Sequence, residues 1–167
     1  DTIVKVYDLG RTAGLDFIRR EQETARKAFV YGMPTAISFD VVKVGGDYGV
    51  VYEMLDADTA AGTISKNPDA LKHYAEKVAE LAKEIHATEV RSGDFQPGEN
   101  IYLGTMPKLA GEIPERIYNN LQEIIRSIPK RSTMIHGDFH CKNIMVRGGE
   151  LELIDMGDVS IGHPLLD

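Results

Sequence analysis

The residues that most constrain this chain lie between Met134 and Asp158, in the run MIHGDFHCKNIMVRGGELELIDMGD. Asp138, Asn143 and Asp155 are set among apolar runs that read as buried strands. Burying a charge costs several kcal/mol per ion unless something neutralises it. These side chains must therefore face a metal ion with a polyphosphate, a hydrolytic metal centre, or one another. The segment NIMVRGGELELID turns on Gly148-Gly149, so it is expected to be a hairpin. A hairpin lays its second strand beside its first, which returns Asp155 to the neighbourhood of Asn143. Two oxygen ligands facing one space suit a hard cation such as Mg²⁺, which takes few protein ligands and leaves the rest to water and phosphate. Asp138, in the loop before the hairpin, is placed to accept a proton or orient a hydroxyl.

The rest of the chain reads as a mixed α+β protein. TIVKVYD alternates β-branched and polar residues as a strand does. From Leu15 to about Tyr31 the pattern turns helical, with Ile18, Ala25 and Phe29 on one face, and Gly32 and Pro34 stop it. TAISFDVVKV and GVVYEML read as two strands joined by a GGD turn. After DADTAAGTISK comes the clearest helix, with Asn67 as its cap, Pro68 in its first turn, and Leu71, Tyr74, Val78, Leu81 and Ile85 as its apolar stripe. RSGDFQPGEN reads as loop. A second helix spans about Pro114 to Ser127, with Ile117, Leu121, Ile124, Ile125 and Ile128 facing inward, and STMIHG follows as a short strand. Residues 1–55 are thus expected to form a small sheet-rich lobe and residues 56–167 a mainly helical one. YEMLDAD would be the hinge between them, and a cleft between lobes is a favoured ligand site.

Bulk properties narrow the function classes. A chain of 167 residues is long enough for one domain with a proper core or for two small lobes. The net charge of −7 argues against nucleic acid as a partner, because phosphate backbones select basic surfaces. The one cysteine, Cys141, excludes an internal disulfide framework. No apolar run is long enough to span a bilayer and no secretory leader opens the chain, so no membrane is expected and the cytoplasm is the expected compartment.

The pattern H-x-D-x-x-x-x-N followed by D-x-G is that of protein-kinase catalytic and magnesium loops. More closely, HGDFHCKN, LIDMGD and GHPLLD resemble the aminoglycoside phosphotransferase and choline kinase family, small-molecule kinases with a kinase-like two-lobe fold. The match falls on His136, Gly137, Asp138, His140, Asn143, Ile154, Asp155, Gly162, Pro164 and Asp167. The resemblance implies a small antiparallel-sheet N-terminal lobe and a mainly helical C-terminal lobe. It also implies ATP and Mg²⁺ as cofactors, a small-molecule alcohol as acceptor, Asp138 as the catalytic base, and Asn143 and Asp155 as metal ligands. Such folds need a strand lysine for the nucleotide phosphates and a helix glutamate to hold it. Lys5 sits mid-strand in TIVKVY. Glu21 falls on the inward stripe of the following helix, whereas Glu23 lies on the other side. Glu53, Met54 and Leu55 occupy the position of an adenine-binding hinge. A glycine-rich phosphate loop before Lys5 and the helices after GHPLLD are not in the sequence, so the chain reads as a segment truncated at both ends.

Several readings compete with this one. Asp138, Asn143 and Asp155 could be plain turn residues, since Asp and Asn favour turns. Lys5 could be a solvated strand lysine and Glu21 an incidental helix residue. His136 reads as structural, His86 as a packed or capping histidine near a helix end, and Asp167 as a scaffold group. At the level of function, a protein kinase would need a long activation segment, and the chain runs from Asp155 through GHPLLD within a dozen residues. A catalytically silent nucleotide-binding regulator is a second class. A metal-dependent hydrolase built on His136, Asp138, His140 and Asp155 is a third.

Overall fold

Alternating β-branched side chains draw Thr2–Tyr7 into a strand, β1, which lies antiparallel to β3 (Asp47–Glu53). β3 in turn pairs antiparallel with β2 (Ser38–Val44), giving a three-stranded sheet in the order β1-β3-β2. These elements come from a computed structural model that describes residues 1–8 and 14–167. The β2–β3 turn is Gly45-Gly46, with Asp47 already in the strand, and Gly45 takes a φ of 61° that favours glycine.

Helix α1 (Leu15–Val30) lays Ile18, Glu21, Ala25 and Ala28 against this sheet side of the molecule, where Tyr7, Ile18 and Val50 form a core joined by Val41, Tyr48 and Tyr52. Phe29, expected on the inner face, is 44% exposed, and Ala28 is buried in its place. Both lie on the margin of one helical stripe, and the smaller side chain takes the buried position.

Gly49 is required by the closeness of β1. A Cβ there would lie 2.7 Å from Val4 Cγ1 and 2.8 Å from the Lys5 carbonyl oxygen. Backbone cannot yield as a side-chain tip can. Gly49→Ala is therefore expected to destabilise the fold by about 1–3 kcal/mol, the usual scale of overpacking. A thermal melt beside the parent chain checks this, and an unchanged midpoint would contradict the packing.

A second sheet, in the order β4-β6-β7, is made of β4 (Asp58–Thr59), β6 (Ile144–Arg147) and β7 (Glu150–Leu153). The β6–β7 turn is Gly148-Gly149, with φ of 60° and 90°, the two successive left-handed residues that a tight twisted hairpin needs. The segment after α1 is stitched to the end of this hairpin. Thr35 Oγ1 donates to the Leu153 carbonyl at 2.9 Å, and the Leu153 N–H donates to the Pro34 carbonyl at 2.6 Å. Directly after β4, α2 (Ala60–Lys66) is capped by Thr59, whose Oγ1 accepts from the Gly62 N–H at 2.9 Å. A 3₁₀ turn over Pro68–Ala70 then leads into α3 (Leu71–Ala87).

The chain divides into two compact units. One comprises Asp1–Lys83 and Asp138–Asp158, the other Glu84–Gly137 and Val159–Asp167. The second unit contains the last turn of α3, helices α4 (Gly98–Thr105) and α5 (Glu115–Ser127), and the antiparallel pair of β5 (Thr133–Ile135) and β8 (Ser160–Gly162). Within it, Asp167 accepts the His136 N–H at Oδ2 (2.9 Å) and the Gly137 N–H at Oδ1 (2.7 Å), and Oδ2 also meets His86 Nε2 at 2.9 Å. The expected scaffold role of Asp167 and the packed role of His86 share this one arrangement.

Helix α5 has the expected length but not the expected burial. Ile117 and Ile124 are 44% and 58% exposed, and no residue of α5 is fully buried. An amphipathic pattern identifies a face and not the neighbour that covers it. Among the described residues no helix is long and apolar enough to cross a membrane.

Candidate active site

All the polar groups expected to do chemistry, Lys5, Glu21, Asp138, Asn143 and Asp155, belong to the first unit. Lys5 is placed by β1, and its register opposite Val50 turns its side chain toward α1, where Glu21 is buried. Lys5 Nζ lies 2.7 Å from Glu21 Oε1 and 2.7 Å from Asp155 Oδ1, so one ammonium bridges two carboxylates. Burial acts to lower the Lys5 pKa, but the hydrogen bonds to Asp155 and Glu21 and their charges outweigh it, and the net shift is upward. The amine is thus held charged.

Asp155 follows the end of β7 and takes a φ of 60°, the only positive φ outside glycine among the described residues. Asp tolerates this left-handed conformation better than most residues. The next two residues, Met156 and Gly157, open a short 3₁₀ turn. Gly157 is needed for space: a Cβ there would come within 2.6 Å of Glu21 Cγ and 2.9 Å of Glu21 Cδ.

Asp138 and Asn143 form a second cluster. Asn143 Nδ2 donates to Asp138 Oδ2 at 2.8 Å and to the Asp138 carbonyl at 3.1 Å. This fixes the orientation of the amide, so its Oδ1 is the acceptor end. The Asn143 carbonyl accepts the Ile154 N–H at 3.0 Å, which ties Asn143 to the residue before Asp155, as the hairpin geometry leads one to expect. His140 Nδ1 accepts the Lys142 N–H at 3.2 Å, and its Nε2 lies 3.5 Å from Asp138 Oδ2.

A cavity of about 320 Å³ opens beside Lys5 and Asp155. Its walls are mostly apolar, with Ile3, Ala36, Met145, Ile154 and Met156, and Glu53, Met54 and Leu55 form one rim. Such a mostly apolar chamber with charged groups at one end is the common form of a small-molecule site. Of the residues expected at a nucleotide site, Lys5, Glu53, Leu55 and Asp155 line this one space. Glu21 meets it through Lys5, while Asp138 and Asn143 pair with each other and are not part of its wall.

The residues fit a lightly held hard cation better than a protein-caged one. Among the described residues no three of His, Cys, Asp and Glu are gathered as a metal-holding group. The oxygens on offer are Asn143 Oδ1 and the Asp155 carboxylate, a set that suits Mg²⁺ with water and phosphate and falls short of a zinc site.

Three participants were not singled out from the sequence. Tyr7 OH donates a short hydrogen bond to Glu21 Oε1. Tyr52 lines the cavity and packs against the core that contains Tyr7. Arg147 joins Glu53, at 3.4 Å, to Glu152, at 2.6 Å. Strand alternation could have put Tyr7 on the Lys5 face, two residues on, but nothing local shows that its hydroxyl reaches Glu21.

The comparisons with known proteins follow this geometry. A sequence model described as the phosphotransferase enzyme family matches residues 1–167. Among solved structures, an aminoglycoside-3'-phosphotransferase of type VIII is similar in fold, with a TM-score of 0.69 and 20% sequence identity. The match covers 98% of this chain and 65% of that one, so the chain spans about two thirds of the relative's length. No curated protein sequence matches it.

Proposed function

Because the chain belongs to the phosphotransferase enzyme family, we propose that it moves the γ-phosphate of ATP to a hydroxyl of a small molecule. The observation that carries this reading is the Lys5 ammonium, held between Glu21 and Asp155 at the charged end of an apolar cavity. In this reading residues 1–55 serve as the nucleotide-binding lobe and residues 56–167 as the catalytic lobe.

The roles follow from the chemistry of each group. The base of the nucleotide would lie against Ile3, Ala36, Met145 and Ile154, with the backbone at the Glu53–Leu55 rim facing its edge. The Glu53 N–H is already given to the Ile37 carbonyl at 2.8 Å and the Met54 N–H to the Asp1 carbonyl at 3.2 Å, which leaves this work to Leu55. Lys5 would turn its charge to the phosphates while Glu21 keeps it in place. Asn143 Oδ1 and Asp155 would hold Mg²⁺, whose contribution when bound is to neutralise phosphate charge. Asp138 would align the acceptor hydroxyl and take its proton as the new oxygen–phosphorus bond forms, the bond to the bridging oxygen breaks, and ADP leaves. Catalysis of this kind is mostly positioning and charge neutralisation. The acceptor class is a small alcohol, such as an aminoglycoside, a choline-like amino alcohol or a sugar.

The purified chain is expected to release ADP from ATP and Mg²⁺ faster when the right alcohol is present. A panel of aminoglycosides, amino alcohols and sugars, read by ADP release and by mass of the phosphorylated product, tests this. Binding of ATP with no turnover on any acceptor would favour a silent regulatory module. Stoichiometric zinc in the purified protein would favour a hydrolase.

A further inference from the structure

The buried phenol of Tyr7 is placed where the proposed chemistry has no evident use for it. Tyr7 is 6% exposed and lies two residues from Lys5 on β1, so both side chains project from the same face of the strand. Its hydroxyl donates to Glu21 Oε1, the same oxygen that Lys5 Nζ meets at 2.7 Å. Its ring lies under the Lys5 ammonium, 5.2 Å from nitrogen to ring centroid. One side chain therefore touches both members of the ion pair, the acid through its hydroxyl and the amine through its ring.

The direction of the Tyr7–Glu21 bond follows from donor counting. An ionised Glu21 can only accept, so the single Tyr7 proton is committed to it. Burial, followed by the influence of Glu21, raises both phenol pKa values, that of Tyr52 to about 12, so neither ionises near neutrality. On the far side of the acid, the Gly157 backbone closes the space around Glu21 Cγ.

We propose that Tyr7 is a positioning residue that clamps Glu21 and thereby fixes the Lys5 ammonium at the cavity before any ligand arrives. The inference takes its functional meaning from the proposed nucleotide site, but the clamp itself is a property of the empty protein. Tyr7→Phe keeps the ring, and with it the packing near Ile18 and Val50 and the edge contact with Phe17 at 6.4 Å, while removing only the hydroxyl. Tyr52→Phe removes a different hydroxyl beside the same core and leaves the Tyr7–Glu21 bond, so it serves as the control.

The test reads Lys5 directly. The parent and both variants, each full length, are treated with a limiting amine-acylating reagent without nucleotide, and Lys5 labelling is followed by peptide mass spectrometry against the other lysines. The expected result is Lys5 labelling about tenfold faster in Tyr7→Phe, the scale of one hydrogen bond to a charged group, with Tyr52→Phe close to the parental rate. Labelling of the other lysines is expected to be unchanged, which separates a freed Lys5 from general unfolding. Lys5 labelling at the parental rate in Tyr7→Phe, or an equal rise in Tyr52→Phe, overturns the clamp. If the parent itself fails to bind MgATP while Lys5 labelling still rises in Tyr7→Phe, the clamp stands and the nucleotide reading falls.

Discussion

Asp138→Asn is expected to slow phosphoryl transfer roughly 10²- to 10⁴-fold, the range that a positioned general base contributes. The affinity for MgATP should stay at the parental value. The reasoning is local. Asp138 and Asn143 are joined at 2.8 Å through the amide nitrogen of Asn143, and an asparagine at 138 still offers an oxygen to that donor. The loop therefore keeps its geometry, and Asn143 keeps its Oδ1 free to serve as a ligand. What the substitution removes is the ability to take the acceptor's proton. Titration calorimetry with MgATP and steady-state turnover on an identified acceptor separate the two effects. Turnover at the parental rate would remove Asp138 from the chemistry, and loss of nucleotide binding would reassign it to the metal.

Gly157→Ala is the second large effect, and it acts through a residue that touches no ligand in the proposed mechanism. The added methyl would come within 2.6 Å of Glu21 Cγ, in the middle of a side chain already held by Lys5 and Tyr7. A free side chain could swing aside, but this one would have to give up those bonds to move. The expected cost is about 1–3 kcal/mol of stability from overpacking. MgATP should bind more than about tenfold weaker, the scale of a lost charge-assisted hydrogen bond. Combining Gly157→Ala with Glu21→Ala should cost less than the sum of the two singly, because both act on one carboxylate. Strict additivity in melting and in MgATP affinity would show that the two positions are uncoupled.

How much of this could be read from the sequence depends on how local each signal is. The β6–β7 hairpin was legible because the Gly148-Gly149 turn and the two short runs it joins lie within one segment. Glu21 was legible because a carboxylate on an apolar helical stripe demands a cation, and Lys5 lay on the preceding strand. The small helices were not legible: α2 begins at Ala60 in a run that looks like loop, and α4 begins directly after Pro97. The short strands β4 and β8 take their form from distant partners, β6 and β5, and carry too few residues to show a period. The role of Gly157 was hidden for a different reason. Its φ is not in the left-handed region, so no turn chemistry marks it, and the reason for its lack of a side chain sits on another element. The family resemblance was legible from HGDFHCKN, LIDMGD and GHPLLD because sparse residue types recur there at fixed intervals, and the family match over the chain bears it out.

The doubly bridged amine at position 5 has one more consequence. With Glu21 and Asp155 each at 2.7 Å, it has no idle charge to offer an arriving anion. In the proposed mechanism, recruitment of Lys5 by a phosphate would be an exchange of partners, and the affinity would be the difference between the new contact and the one surrendered. Glu21 is buried and pinned, while the Asp155 side chain is 47% accessible, so Asp155 would be the partner that lets go. The same event that draws the ammonium outward would release an aspartate for other duty, and the resting ion triad would then act as a latch that opens by substitution.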